Sequence, residues 1–156
     1  MIKVMFVCLG NICRSPMAEA IMQDLVQKAG LEEHIEVDST GTSSYHVGER
    51  PHPGTRKVLK ANDIEYRHRS RQVTIGDLAE ADYVVAMDRH NHSDLLQMDR
   101  SGTLTNKLSL LLNEDPELEL LDVPDPYYVG GFDRVFNLVQ QGCISLLARI
   151  RRENDL

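Results

Sequence analysis

The sequence predicts an α/β domain built on a four-stranded, mainly parallel sheet with helices on both faces. Three observations predict it. Short runs of β-branched and apolar residues alternate with stretches of helical periodicity, and parallel strands need right-handed crossover connections, which place helices over the sheet. The composition, 42% hydrophobic and 26% charged with 10 Gly and 6 Pro, is that of a globular protein, and 156 residues suit one domain spanning 1–156 rather than two.

The elements follow in order. Ile2-Lys3-Val4-Met5-Phe6-Val7-Cys8 runs into Leu9-Gly10-Asn11, which reads as a buried strand entering a loop. Ser15 can cap the next helix, with Pro16 at its first position and Gly30 just beyond its end. Met17, Ile21, Leu25 and Ala29 then repeat every four residues, an amphipathic stripe. Ile35–Ser39 reads as the second strand, Gly54–Ala61 as a helix, Ala81–Met87 as the third strand and Leu108–Leu112 as the fourth. Phe132, Val135, Phe136, Val139, Cys143, Leu146, Leu147 and Ile150 fall on one face of a final helix. This alternation is the flavodoxin-like or Rossmann-like arrangement. Between Asn113 and Asp133 lies a long connection with seven acids, no base and three prolines; a loop of that length in a small domain is usually functional.

Charge and cysteine usage narrow the function. Lys plus Arg number 17 and Asp plus Glu 24, a net −7, so no general attraction to nucleic acid is expected. The apolar runs Val4–Leu9 and Leu108–Leu112 are far shorter than the ~20 residues a membrane-spanning helix needs, and Met1-Ile2-Lys3 opens into a strand without a Sec-type signal. Three cysteines, an odd count, make no disulfide framework and suit the cytoplasm. The charge is uneven: Arg50 to Arg71 holds seven bases against two acids.

The strongest chemical signal is Cys8-Leu9-Gly10-Asn11-Ile12-Cys13-Arg14-Ser15, between the first strand and first helix. In doubly wound sheets ligands bind at the carboxyl ends of strands, where converging N–H groups and a helix N-terminus form an oxyanion site. Cys8 at its floor would feel the amides, the helix dipole and Arg14, all of which favour a nucleophilic thiolate. Arg14 can hold two phosphoryl oxygens in its planar fork, and Ser15 lies close enough to hydrogen-bond the sulfur. Attack on a phosphomonoester also needs an acid for the departing oxygen. Asp125, between Pro124 and Pro126 in the acidic connection, is the candidate, with Tyr127 and Tyr128 to wall a cleft for a flat ring. No metal is expected: Cys8 and Cys13 lack the usual ligand spacing, and His90 and His92 are two apart on a helix and do not face one another.

The stretch Cys8 to Ser15, extended by Pro16-Met17-Ala18-Glu19-Ala20, together with Asp125-Pro126-Tyr127-Tyr128, resembles the low-molecular-weight protein tyrosine phosphatases along essentially the whole chain. The resemblance implies two-step hydrolysis of phosphotyrosine through a phosphocysteine, without a cofactor. Cys8 would be the nucleophile, Arg14 the phosphate clamp and Asp125 the acid and then the base. It further implies that Leu9, Gly10, Asn11, Ile12, Cys13 and Ser15 bind phosphate, that Asn11 holds the loop's strained shape with support from Ser39 and His68, and that Cys13 can pair reversibly with Cys8. Tyr45, with Tyr127 and Tyr128, would form the substrate rim. Tyrosine-phosphorylated proteins, with a tyrosine kinase or its substrates, are the implied partners, and a monomer with at most weak self-association the implied state. Phosphoarginine-specific relatives carry a small polar residue where this chain has Ile12, so phosphotyrosine is expected. Arsenate reductases of this fold need further cysteines after the third strand, where Val85-Ala86-Met87-Asp88-Arg89 has none. A non-catalytic oxyanion-binding module would need neither Cys8 nor Asp125.

Overall fold

The computed structural model describes residues 1–156. Its elements are β1 (Ile2–Cys8), α1 (Arg14–Lys28), β2 (Ile35–Gly41), α2 (Pro53–Ala61), α3 (Ile75–Glu80), β3 (Tyr83–Ala86), α4 (Arg89–Met98), β4 (Leu108–Leu110), α5 (Pro126–Val129) and α6 (Phe132–Glu153), with single 3-10 turns at Leu111–Glu114 and Pro116–Leu118. The strands form one sheet in the order β2-β1-β3-β4, every neighbouring pair parallel. The predicted four-stranded parallel sheet is therefore present.

The period-two geometry of β1 divides the core. Val4, Phe6 and Cys8 point into the larger apolar cluster, with Met17 and Ile21 of α1 and Val139, Leu146 and Ile150 of α6. Met5 and Val7 point the other way, into a smaller cluster with Leu78 of α3 and Leu95 of α4. Both faces are thus covered, which is why β1 reads as a continuous apolar run rather than an alternating one.

Several boundaries differ from the sequence reading. Helix α1 begins at Arg14, its cap position is Cys13, and no side chain caps it. Ser15 does not cap because its hydroxyl bonds Cys8 and the Thr40 carbonyl. The third strand spans only Tyr83–Ala86, and the fourth ends at Leu110, where Leu111 and Leu112 turn into a 3-10 helix. The acidic connection holds the two 3-10 turns and α5; two of its three prolines, Pro116 and Pro126, sit at the start of a turn where the missing N–H is no loss. Helices α3 and α4 are additions. Helix α3 carries a Thr74–Asp77 capping box, and α4 buries only Asn91 and Leu95, so it has almost no apolar stripe.

Leu146 is fully buried between α6 and the sheet. Leu146→Ala removes about 2–5 kcal/mol of stability through lost transfer energy and a residual cavity. Calorimetry should show Tm lowered by roughly 10 °C; an unchanged Tm would mean the site collapses around the smaller side chain.

Candidate active site

The loop between β1 and α1 lies at the carboxyl end of the sheet's inner strands. It is tied to the chain after β2: Thr42 N donates to Cys8 O at 2.9 Å and Ser43 N to Leu9 O at 3.0 Å. Gly41 allows this approach, since a Cβ there would stand 2.7 Å from Leu9 O and 3.1 Å from Asn11 N. Cys8 is 3% exposed. Its sulfur receives the Asn11 N–H at 3.3 Å and lies 3.0 Å from Ser15 Oγ. Asn11 Nδ2 donates to that same Ser15 oxygen at 2.8 Å, leaving the hydroxyl proton free to turn to the sulfur or to Thr40 O at 3.2 Å.

Asn11 has φ of 56°, a left-handed conformation that costs a non-glycine residue free energy. Its side chain is spanned by four hydrogen bonds. Nδ2 donates to Ser15 and to Ser39 Oγ at 3.0 Å, while Oδ1 accepts from His68 Nε2 at 2.7 Å and from Arg71 N at 3.0 Å. Because Oδ1 can only accept, the proton of His68 on this side is on Nε2. Behind this layer Ser39 Oγ donates to Glu19 Oε1 at 2.7 Å, and His68 Nδ1 lies 3.5 Å from the same oxygen. Burial pushes the Glu19 carboxyl up to about 7 and pushes His68 below the usual imidazole range. The Tyr66 ring stacks on His68 at 5.8 Å, and Arg71 is fastened to Asp38 and Asp77. Glu19, Asp38 and His68 could in principle present ligand atoms to a metal, within 4.8 Å of one another. Each is already engaged, by Ser39, Arg71 and Asn11 respectively, so the group reads as a hydrogen-bond network.

Arg14 is 3% exposed and held from two directions. Its NH1 donates to Asp88 Oδ2 at 2.6 Å and to Val123 O at 2.9 Å, and its NH2 to Asp125 Oδ2 at 3.4 Å. Burial disfavours its charge, but the Cys8 sulfur and Asp88 more than offset this and hold the guanidinium above its ordinary value. Asp88 also caps α4, accepting Asn91 N at 2.7 Å. Asp125 caps α5 in the same manner, Oδ1 accepting Tyr127 N at 3.1 Å.

These groups share one cavity of about 360 Å³, lined by Cys8, Arg14, Asp125, Tyr45, Tyr127 and Tyr128 among others. The three tyrosines are 84%, 46% and 72% exposed, and the His46 ring bridges Tyr45 and Tyr127 at 4.9 and 5.8 Å. Gly10, Ile12 and Cys13 also line it. Burial, reinforced by the Cys8 sulfur, pushes the Cys13 thiol up to about 12. Cys143 is remote, enclosed in the core against α1. Sequence reasoning missed Asp88, Glu19 and His46. Asp88 was visible as a polar residue closing the third strand, where doubly wound sheets place ligand-binding groups; Glu19 and His46 carried no local signal.

The family model for low molecular weight phosphotyrosine protein phosphatases matches residues 3–156. The low molecular weight protein-tyrosine-phosphatase YfkJ of Bacillus subtilis is 46% identical over 157 residues, covering 100% of each chain. Its crystal structure superposes with a TM-score of 0.95, at 47% identity over 98% of this chain and 96% of that one. A protein tyrosine phosphatase from Entamoeba histolytica matches with a TM-score of 0.93 at 37% identity over 100% of both chains. A Drosophila arginine phosphatase matches with a TM-score of 0.90 at 34% identity, covering 96% of this chain and 98% of its own. From the loop that closes on Cys8 to the terminal helix, the chain belongs to the low molecular weight phosphotyrosine protein phosphatase family.

Proposed function

We propose that the chain hydrolyses phosphotyrosine in proteins, and small aryl phosphates, with Cys8 as nucleophile, Arg14 as phosphate clamp and Asp125 as acid and then base. The observation that carries this reading is the convergence of Cys8, Arg14 and Asp125 on one cavity, with Ser15 and the Asn11 amide on the sulfur. In the first step Sγ attacks phosphorus, the bond from phosphorus to the phenolic oxygen breaks, and the Asp125 proton passes to that oxygen. Oδ1 of Asp125 accepts the Tyr127 N–H at 3.1 Å, and Oδ2, whose contact with Arg14 NH2 is long at 3.4 Å, is the oxygen assigned to transfer the proton. In the second step Asp125 takes a proton from water as the water oxygen attacks phosphorus. The sulfur–phosphorus bond breaks, inorganic phosphate leaves and the thiolate is restored.

The loop amides and Arg14 face charge that spreads over the phosphoryl oxygens in the transition state. Because they are already in position, they need no reorganisation at that moment. Ser15 supports the sulfur in both directions, as nucleophile and as leaving group. Ser39 and His68 act through Asn11, and Leu9, Gly10, Ile12 and Cys13 complete the cradle.

The Drosophila relative raises a second reading, a phosphoarginine substrate. Ile12 and the Tyr127 and Tyr128 rings make the mouth apolar and flat-sided, which suits a phenyl ring better than a cationic guanidino group, so phosphotyrosine is favoured. Every group used comes from one chain, so a single copy suffices for the proposed chemistry. No helix is long and apolar enough to cross a membrane.

Cys8→Ser should abolish turnover of p-nitrophenyl phosphate in EDTA; retained activity would remove the phosphocysteine route. Asp125→Ala should lose about 10²–10⁴-fold in kcat on phenyl phosphate but much less on p-nitrophenyl phosphate, whose leaving group needs little protonation. Equal losses on both would take Asp125 out of the acid role. The Glu19 carboxyl holds its proton up to about 7 in the fold against 4.5 for the free group. Between those values the native chain binds more protons than the unfolded one, so this contribution is full below 4.5 and lost as pH rises through 7. Glu19→Gln removes the slope. Urea unfolding of the two proteins from pH 4.5 to 7.5 should show their stability difference change by about 2–3 kcal/mol in the variant's favour, whereas a constant difference contradicts the shifted carboxyl.

A further inference from the structure

The cations between Arg50 and Arg71 have no part in the mechanism above. Of the seven, only Arg71 has carboxylate partners, Asp38 and Asp77. Arg50, Arg56, Lys57, Lys60, Arg67 and Arg69 are all exposed and none forms an ion pair. Elsewhere Lys3, Arg14, Lys28, Arg89 and Arg149 pair with carboxylates, while Arg100, Lys107, Arg134, Arg151 and Arg152 do not but line neither the catalytic cavity nor the hollows that adjoin it.

The unpaired cations are continuous with the catalytic mouth. Ile12, His46 and Tyr127 line both the catalytic cavity and an adjoining hollow that also contains Arg50, Arg56 and Arg69. Arg50 and Arg56 in turn line a second hollow with Lys60 and Arg67. The acids nearby are fewer: Glu49, which is paired with His46, and Asp63 and Glu65.

We infer that this shelf binds an acidic stretch of the substrate polypeptide flanking the phosphotyrosine, a reading that rests on the phosphatase function proposed above. A phosphotyrosine in the cavity leaves its own backbone at the mouth, and flanking residues laid along the shelf at ~3.3 Å each pass Arg50 and Arg56 in turn. Summed unpaired charge beside a cleft raises the encounter rate with a partner of opposite sign and is screened by salt. The remaining surface, in a chain of net −7, repels the same peptide, so selection is local to the shelf.

The test compares kcat/KM for two phosphotyrosine peptides, one flanked by Asp and Glu and one by Ser and Gly, using the full chain. The wild type should prefer the acidic peptide about tenfold at low salt and lose the preference in 0.5 M NaCl. Arg50→Ser/Arg56→Ser/Arg69→Ser should abolish it through KM while leaving p-nitrophenyl phosphate turnover unchanged. Arg100→Ser/Arg151→Ser/Arg152→Ser, which removes the same charge elsewhere, should keep it. Aryl phosphate turnover without acidic preference, or equal loss in both triple variants, overturns the shelf and leaves the phosphatase standing. No aryl phosphate turnover overturns both. Loss of binding to phosphatidylserine vesicles with unchanged peptide selectivity would assign the shelf to an anionic surface and overturn the proposal.

Discussion

The site depends first on one residue held where its backbone does not want to be. Asn11 occupies the left-handed region, and in that conformation its N–H turns to the Cys8 sulfur. Glycine would reach this conformation without strain, yet it would have no side chain to fasten. Asparagine is among the few residues that tolerate the geometry and also carries two donors and an acceptor. The four bonds to Ser15, Ser39, His68 and the Arg71 amide convert a loose five-residue turn into a fixed cradle. Strain persists at such places only when the surroundings over-determine it.

A second economy of parts concerns Arg14. Both carboxylates that touch it are helix caps: one oxygen of Asp88 starts α4 and the other holds NH1, while one oxygen of Asp125 starts α5 and the other reaches NH2. The guanidinium is therefore positioned by the ends of two helices rather than by mobile side chains. The short α5 has too few residues to be stable alone, so its cap and the contact with Arg14 set its place over the cavity.

The sequence carried the parts whose signal is local. The strand before Cys8, the loop, the start of a helix at Pro16 and the stripe of α6 are written in contiguous residues. So are Asp125 and its two tyrosines. Helix α4 was silent because only one face-defining apolar residue, Leu95, is fully buried, and α3 because Gly76 interrupts a six-residue segment whose capping box was its one sign. Glu19 sits just over one turn into α1 with no local mark; its importance arises from burial beside Ser39 and His68, which come from elsewhere in the chain. Cap choice at α1 also eluded local reasoning, since a serine before proline normally caps and here its hydroxyl serves the sulfur instead.

The partners that shape the loop are distant along the chain. Asn11 reaches residues 28, 57 and 60 positions away, and Arg14 reaches 74, 109 and 111 positions away. During synthesis Cys8 and Arg14 are made well before their partners, and the arginine lacks its anchors until the chain has passed residue 125. The surroundings of the Cys8 sulfur are thus complete only in the finished fold, where the Asn11 amide, the Ser15 hydroxyl and an anchored Arg14 come together.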